Sequence, residues 1–121
     1  MEYHHYLARF FEDLLDTSDS SGFKKFFYRS RSTVLITLFI ASGRPGTHHS
    51  LEDILQTIPN RIVSRTTIKN ILDEGVAQNF FLKNIDSNDN RRRVYQLGVQ
   101  YEEEIITWVN RQKLIFCADH N

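Results

Sequence analysis

The chain has 121 residues, of which 40% are hydrophobic and 25% are charged, and it contains a single cysteine, Cys117. This length supports one hydrophobic core and is too short to predict two independent domains. One cysteine excludes an intramolecular disulfide framework. The longest apolar run, Val34 to Ala41, falls well short of the roughly 20 residues that a membrane span requires, and no signal pattern opens the sequence. We therefore expect a soluble, cytoplasmic protein that does not bind a membrane.

Charge is unevenly distributed, although the formal net charge is zero. Residues 1–21 carry one basic and five acidic side chains, residues 22–93 carry twelve and six, and residues 94–121 carry two and four. The local balances are therefore −4, +6 and −2. A basic centre between acidic ends is typical of nucleic-acid binding, because phosphate contacts require only a local basic surface. Chance scatter over a solvated surface explains the same numbers, so charge alone leaves both interpretations open.

The first three predicted elements are helices. Apolar residues at three-and-four spacing predict a first helix that ends at about Asp16. Phe23, Phe26 and Phe27 predict a short helix or structured connector. A long helix is predicted from Ser32 to Ser42, where the sequence GRPG stops it. Because this helix is apolar nearly all round, we expect it at the centre of the core.

Two short helices joined by a tight turn come next. Ser50 and Asp53 match an N-cap with its partner three residues later, and the helix that follows has about two turns. A second helix, over about residues 64–78, opens at the N-cap candidate Ser64. One of its faces is apolar and includes Gly75, which predicts a close approach of another backbone. Its opposite face is polar and comprises Thr66, Lys69, Asn70 and Asp73.

A hairpin and a last helix complete the pattern. Asn79 can adopt the left-handed conformation that ends a helix, after which FFLKNI and RVYQL predict two strands joined by DSNDNR. Helical spacing resumes after Gly98 and includes Tyr101, Ile105 and Trp108.

Helix, turn, helix and then an arginine-rich hairpin is the order of a winged helix-turn-helix, and specific residues resemble the MarR family of transcriptional regulators. From Ser64, SRTTI is similar to the opening of that family's recognition helix. The family's wing pattern is matched by Asp86, Asp89 and Arg91, and then by Leu97. The resemblance covers about residues 32–105.

The chain also departs from the family pattern at four positions. Asn79 stands where the family usually has Gly, and Gly98 stands where it has Thr. Gly75 replaces a Leu, and Tyr101 replaces a Gly. No residue identifies a small-molecule effector site, so any effector is left open.

The resemblance implies binding to double-stranded DNA. The recognition helix would enter the major groove and the wing, about residues 84–93, would lie on the backbone or minor groove. Asp89 is expected to pair with Arg91 and stabilise the wing, while strand alternation turns Arg92 away from Arg91 and Arg93. The candidate DNA-binding residues are Ser64, Arg65, Thr66, Thr67, Lys69, Asn70, Arg91, Arg92 and Arg93.

The sequence gives no sign of a catalytic or metal site. The adjacent pairs His4–His5 and His48–His49 lack the spacing of helical metal ligands, and we expect them at the surface. Cys117 and His120 have no evident third ligand, although a redox-sensing thiol is an open alternative. We expect no enzyme activity, no metal and no cofactor.

The predicted fold is mainly α with a small β-hairpin wing, in a single winged-helix domain over residues 1–121. Residues 1–31 form an N-terminal helix and connector, residues 32–97 the winged helix-turn-helix core, and residues 98–121 a C-terminal helix. The resemblance implies a homodimer, in which the N- and C-terminal helices pack across a two-fold axis, although burial of these helices within one chain is a rival interpretation. The predicted function is transcription regulation, with a winged-helix protein-interaction module as the alternative.

Overall fold

The computed structural model describes residues 2–19, 22–43 and 48–117. These residues form six helices and a three-stranded antiparallel sheet. The elements in chain order are α1 (His4–Leu15), α2 (Phe23–Phe27), α3 (Arg31–Ala41), β1 (His49–Ser50), α4 (Leu51–Thr57), α5 (Arg65–Ala77), β2 (Phe81–Asp86), β3 (Asp89–Leu97) and α6 (Val99–Phe116).

The predicted helix-rich fold with a small hairpin is confirmed. Ser50 caps α4 in a capping box with Asp53, and Ser64 caps α5 by accepting the Thr67 N–H. Asn79 is left-handed, with a φ of 67°, so the chain turns there from α5 into the sheet. The sequence GRPG, predicted to stop α3, lies outside the described residues except for Gly43.

The sheet differs from the predicted hairpin in two ways. A third strand, β1, pairs with β3 through His49–Tyr95 and Ser50–Val94, giving the order β1-β3-β2. The strands of the hairpin also extend further than predicted, so that only residues 87–88 lie between them. Arg91, Arg92 and Arg93 therefore all lie within β3, whereas the sequence prediction placed Arg91 in the connection and began the second strand at Arg93.

Two side-chain turns explain the short connection between β2 and β3. The Asp86 carboxylate accepts the Asn88 N–H at 3.0 Å, and the Asp89 carboxylate accepts the Arg91 N–H at 3.0 Å. Aspartate side chains bond to the backbone two residues ahead in this way and replace the hydrogen bonds of a longer loop. A register irregularity between Ile85 and Asp86 completes the reversal.

One hydrophobic core joins the two ends of the chain to its middle. Phe26 and Phe27 of α2 and Tyr101 of α6 are buried together with residues of α3, α4, α5 and the sheet. The Tyr101 ring lies 4.7 Å from that of Phe80, and burial raises the pKa of the Tyr101 hydroxyl above its ordinary value. Helices α2 and α6 therefore share the core of the central elements.

The buried face of α3 includes two threonines, while one of its leucines is exposed. Thr33, Ile36, Thr37 and Ile40 are the buried residues of this helix, whereas Leu38 is exposed. The Thr33 hydroxyl bonds to that of Ser30 and Thr37 lies 3.4 Å from the Tyr101 hydroxyl, which provides partners for these polar atoms. The prediction that α3 is central is confirmed by Ile36 and Thr37, which are fully buried.

The two terminal helices pack against each other within the chain. The rings of Phe10 and Phe116 lie 5.4 Å apart, and the Arg111 guanidinium lies 2.8 Å from the Asp13 carboxylate. Lys24 of α2 donates to the backbone carbonyls of Asp13 and Asp16 and so satisfies the C-terminal end of α1. None of the described helices has the length and hydropathy needed to cross a bilayer.

The histidine pairs are only partly at the surface. His4, His5 and His48 are exposed as predicted. His49 instead lies half-buried in β1, with its ring 4.5 Å from that of Phe39. The expectation for His49 was wrong because a two-residue strand has no periodicity that would reveal it.

Candidate nucleic-acid interface

The first turn of α5 is held by its own cap. The Ser64 hydroxyl oxygen accepts the Thr67 N–H at 3.1 Å, and the same hydroxyl donates to the Thr67 side chain at 2.9 Å. The Asn60 carboxamide accepts the Arg65 N–H at 3.3 Å and satisfies a further backbone donor of that turn. Ser64 and Thr67, both predicted to bind DNA, are therefore engaged in shaping the helix start.

The two faces of α5 differ completely in burial. Ile68, Ile71, Leu72 and Gly75 are buried and attach the helix to the core. On the opposite side, four predicted site residues are exposed, and their side chains make no hydrogen bond or ion pair with the described part of the chain: Arg65, Thr66, Lys69 and Asn70. Polar groups in this state can hydrogen-bond to a partner without first breaking an internal bond.

Helix α4 begins beside the sheet, and its cap is connected to the hairpin. The Asp53 carboxylate accepts the Ser50 N–H at 3.1 Å, while the Ser50 hydroxyl accepts the Asp53 N–H at 3.0 Å. The hydrogen bond from the Ser50 backbone, helped by the nearby Arg92, holds the pKa of Asp53 below its ordinary value against partial desolvation. The carboxylate is consequently ionised when it bonds to Arg92.

The three arginines of β3 have different surroundings. Arg91 is 94% exposed, and its guanidinium lies 3.7 Å from the Asp89 carboxylate, so the predicted pairing of these two residues is present. Arg93 donates to the backbone carbonyl of Asn90 at 3.0 Å. Arg92 instead reaches Ser50, Asp53 and Asp86. The alternation expected from strand geometry thus separates Arg92 from its two neighbours.

Two exposed basic residues near these elements were not singled out from the sequence. Arg61 lies in the turn between α4 and α5, three residues before the N-cap Ser64. Lys83 lies on β2 and pairs in register with Tyr95 of β3. Neither side chain makes an ion pair with the residues that the structure describes. The only sequence signal for them was their charge, since neither belongs to a motif.

Some of the basic side chains in residues 22–93 form ion pairs with acidic residues of the same chain. Lys24 is only 6% exposed and lies 3.7 Å from the Asp13 carboxylate, which is 8% exposed. Arg29 pairs with Glu74 at the far half of α5 and lies 5.2 Å from the Phe26 ring. These cations hold the fold together and are not free to attract phosphate. Apart from the exposed Lys25 and Arg31 on α2 and α3, the exposed cations without an acidic partner among the described residues of this segment lie on α5, the turn before it and the hairpin.

Other features of the surface offer less specific chemistry. A cavity of about 300 Å³ between α3 and the α4–α5 turn is lined mainly by apolar side chains, including Leu35, Phe39 and Ile62. Cys117 is an exposed free thiol, and His120 lies outside the described residues. Among residues 2–19, 22–43 and 48–117, no three His, Cys, Asp or Glu side chains are grouped as metal ligands.

Comparisons of the chain with protein-family models, with curated proteins and with solved structures gave no match.

Proposed function

We propose that the protein is a sequence-specific, double-stranded DNA-binding transcriptional regulator with a winged helix-turn-helix of the MarR type. The observation that carries this proposal is the free polar face of α5. The side chains of Arg65, Thr66, Lys69 and Asn70 are exposed and have no partner among the described residues, while the opposite face of the same helix is buried. A helix held in this way can enter the major groove and present its polar side to base edges.

The order and pairing of the elements support the proposed fold. The short strand β1 lies between α3 and α4, and α5 is followed by the β2–β3 hairpin. The element order is therefore α3-β1-α4-α5-β2-β3. In a winged helix-turn-helix, α4 and α5 are the helix pair, α5 is the recognition helix, and the hairpin is the wing.

The residue types on α5 fit direct readout of bases. Arg65 would donate a bidentate pair to guanine, and Asn70 would pair with adenine. Thr66 offers its methyl group or hydroxyl, and Lys69 reaches a phosphate or a guanine. Each good bidentate pair contributes roughly 1–3 kcal/mol of discrimination against a wrong base. Ser64 and Thr67 take part through the helix start that they shape.

The hairpin would supply phosphate or minor-groove contacts. Arg91 is almost fully exposed, and the observed partner of the Arg93 side chain is a neutral carbonyl and not a carboxylate. Both can approach the backbone or a narrow minor groove, whose negative potential attracts guanidinium groups. Asp89 would hold the local shape of the turn through the Arg91 N–H.

Exposed apolar residues on the terminal helices support a homodimer. On α1 and at its N-cap these residues recur at helical spacing, and others lie on α6, which packs against α1: Tyr3, Leu7, Phe11, Leu14 and Leu15, with Ile106, Val109, Leu114 and Phe116. Large exposed apolar side chains on two adjoining helices would suit an interaction site. A two-fold dimer would present two copies of α5 to half-sites one helical turn apart.

Selection from a random-sequence duplex pool tests the proposal without a known target. The purified protein should enrich a pseudo-palindromic sequence, and binding to the selected duplex should weaken steeply with salt. Arg65→Ala or Asn70→Ala should cost roughly 1–3 kcal/mol and relax specificity at one base position. Arg91→Ala or Arg93→Ala should weaken binding to all duplexes and flatten the salt slope by about one unit.

Lys113→Ala is the matched control for loss of a charge. Lys113 is an exposed cation in the last turn of α6, outside the proposed interface. Its removal should leave affinity and sequence preference within about twofold of the original protein, since long-range charge effects are screened. Failure of the protein to retain any duplex at about 50 mM salt would refute DNA binding.

A protein-interaction module is the second candidate function. The apolar cavity beside Leu35, Phe39 and Ile62, together with exposed Leu38, favours it because DNA contacts do not require such a surface. This alternative predicts no duplex enrichment at low salt and loss of partner binding in Ile62→Asp.

A further inference from the structure

Arg92 differs from its neighbours in contacting three polar side chains of the protein. Its Nη2 donates to the Ser50 hydroxyl at 2.8 Å and lies 3.4 Å from the Asp53 carboxylate. Its Nε lies 3.8 Å from the Asp86 carboxylate. By contrast, Arg91 is 94% exposed and lies near one carboxylate, that of Asp89. Within the described residues, the Arg93 side chain bonds to the Asn90 carbonyl of its own strand.

These contacts join three parts of the molecule. Asp86 is the last residue of β2, Arg92 lies in β3, and Ser50 ends β1 as the N-cap of α4. Ser50 is fully buried and pairs in register with Val94, which shares a strand face with Arg92. The guanidinium therefore spans from the hairpin to the first turn of the helix that precedes α5.

The geometry suits arginine better than any other cation. A planar guanidinium can donate from separate nitrogens to partners on two sides, which a lysine ammonium on a flexible stem does less well. Two carboxylates flank a single cation, and the pKa of Asp53 is held below its ordinary value by the Ser50 N–H, with Arg92 contributing. Because the cluster contains two acidic side chains and one basic side chain, it has no excess of basic groups to attract a phosphate.

We propose that Arg92 is a positioning residue that fixes the hairpin against the N-terminus of α4 and thereby sets the separation between the wing and α5. The part that concerns DNA rests on the proposed function. Arg91 and Arg93 then supply the charge that reaches nucleic acid, and Arg92 supplies the orientation. The three consecutive arginines thus perform two different tasks.

The test compares Arg92→Ala with Arg91→Ala and Arg93→Ala, which remove the same charge from adjacent positions. The first readout is amide hydrogen exchange of β2 and β3, which needs no DNA. Arg92→Ala should speed exchange in the hairpin by about three- to tenfold, because half-exposed ion pairs and a side-chain hydrogen bond are lost. The two controls should change it by less than about twofold, because exposed charges contribute little.

A second variant changes the Asp53 carboxylate and leaves the charge of Arg92 in place. Asp53→Asn keeps the size of the side chain and weakens its bond to Arg92, so it should reproduce part of the Arg92→Ala effect. The double variant Arg92→Ala/Asp53→Asn should be less affected than the sum of the two single changes. Additive effects on hairpin exchange would contradict the proposed link between the two residues.

Duplex binding gives the third readout. Arg92→Ala should lower affinity by about three- to tenfold while the slope of affinity against salt stays unchanged, whereas Arg91→Ala and Arg93→Ala should each flatten that slope. Unchanged hairpin exchange in Arg92→Ala, or a slope flattened by about one unit, would overturn the assignment. If the unsubstituted protein binds no duplex, the proposed function fails, while hairpin exchange still decides the role of Arg92.

Discussion

Gly75 lies where α5 packs against the first residue of β2. A Cβ at this position would overlap the ring of Phe81, which is almost fully buried. The ring cannot retreat easily, because the rings of Phe26 and Tyr101 lie 5.8 and 5.9 Å from it. The sequence predicted that a backbone would approach Gly75, whereas the contact is with an aromatic side chain.

Gly75→Ala should therefore destabilise the protein, although alanine favours a helix. Overpacking costs typically 1–3 kcal/mol, which exceeds the gain of up to about 1 kcal/mol in helix propensity. We expect a net loss of about 1–2 kcal/mol in the free energy of unfolding, measured by urea denaturation. Gly75→Ala/Phe81→Leu should recover part of the loss.

Asp73→Ala is the matched control for this prediction. Asp73 is exposed two residues earlier on the same helix, so the same residue is introduced where there is space. We expect it to change the free energy of unfolding by no more than about 0.5 kcal/mol. Equal stability of Gly75→Ala and the unsubstituted protein would show that the Phe81 ring can move aside.

At the scale of elements, a buried lysine is at the centre of the polar contacts that attach α1 to the fold. Lys24 donates to two carbonyls at the end of α1 and pairs with Asp13, whose carboxylate also contacts Arg111 of α6. Gln112 adds a further contact to Asp13 at 3.4 Å. This cluster connects α1, α2 and α6, and few other polar contacts connect α1 to the rest of the described chain.

Lys24→Met should loosen α1 selectively. The methionine fills similar volume but leaves two carbonyls and part of a buried carboxylate unsatisfied, a loss of about 2–4 kcal/mol. Amide exchange should accelerate throughout α1 while β2 and β3 keep their protection. Lys25→Met is the control, because Lys25 is exposed on the same helix and should have little effect. Uniform acceleration over the whole chain would instead indicate that α1 unfolds only with the core.

The sequence predicted the elements that have strong local signals. The caps Ser50 and Ser64 and the left-handed Asn79 were predictable because each satisfies a local backbone requirement. Strand β1 was not predictable, because two residues carry no periodic pattern and their pairing with β3 is a long-range contact. In the candidate site, the periodicity of the sequence predicted which face of α5 is exposed. The hydrogen bond from Arg92 to Ser50 could not be predicted, because it joins residues that are far apart in the sequence and meet only in the folded chain.

At the scale of the whole molecule, exposed cations and exposed apolar residues are unevenly distributed. Several exposed cations lie on α5, the preceding turn and the hairpin, while most of the large exposed apolar side chains lie on or beside α1 and α6. The acidic ends of the sequence thus coincide with the helices proposed for dimerisation, where phosphate would not be contacted. Packing of α1 on α6 within one chain leaves the outer apolar stripe available, so the two interpretations of these helices are compatible.

The last prediction concerns that stripe. Phe11 is 62% exposed and Leu15, one turn later, is 64% exposed, so a second copy of the chain could bury both. Phe11→Asn should shift the protein towards the mass of one chain in sedimentation at micromolar concentration, because burying a phenylalanine contributes roughly 1.5–3 kcal/mol. Glu12→Asn introduces the same residue at the neighbouring exposed position and should leave the dimer unchanged. A monomeric unsubstituted protein at these concentrations would contradict dimerisation through α1 and would restrict DNA binding to one half-site.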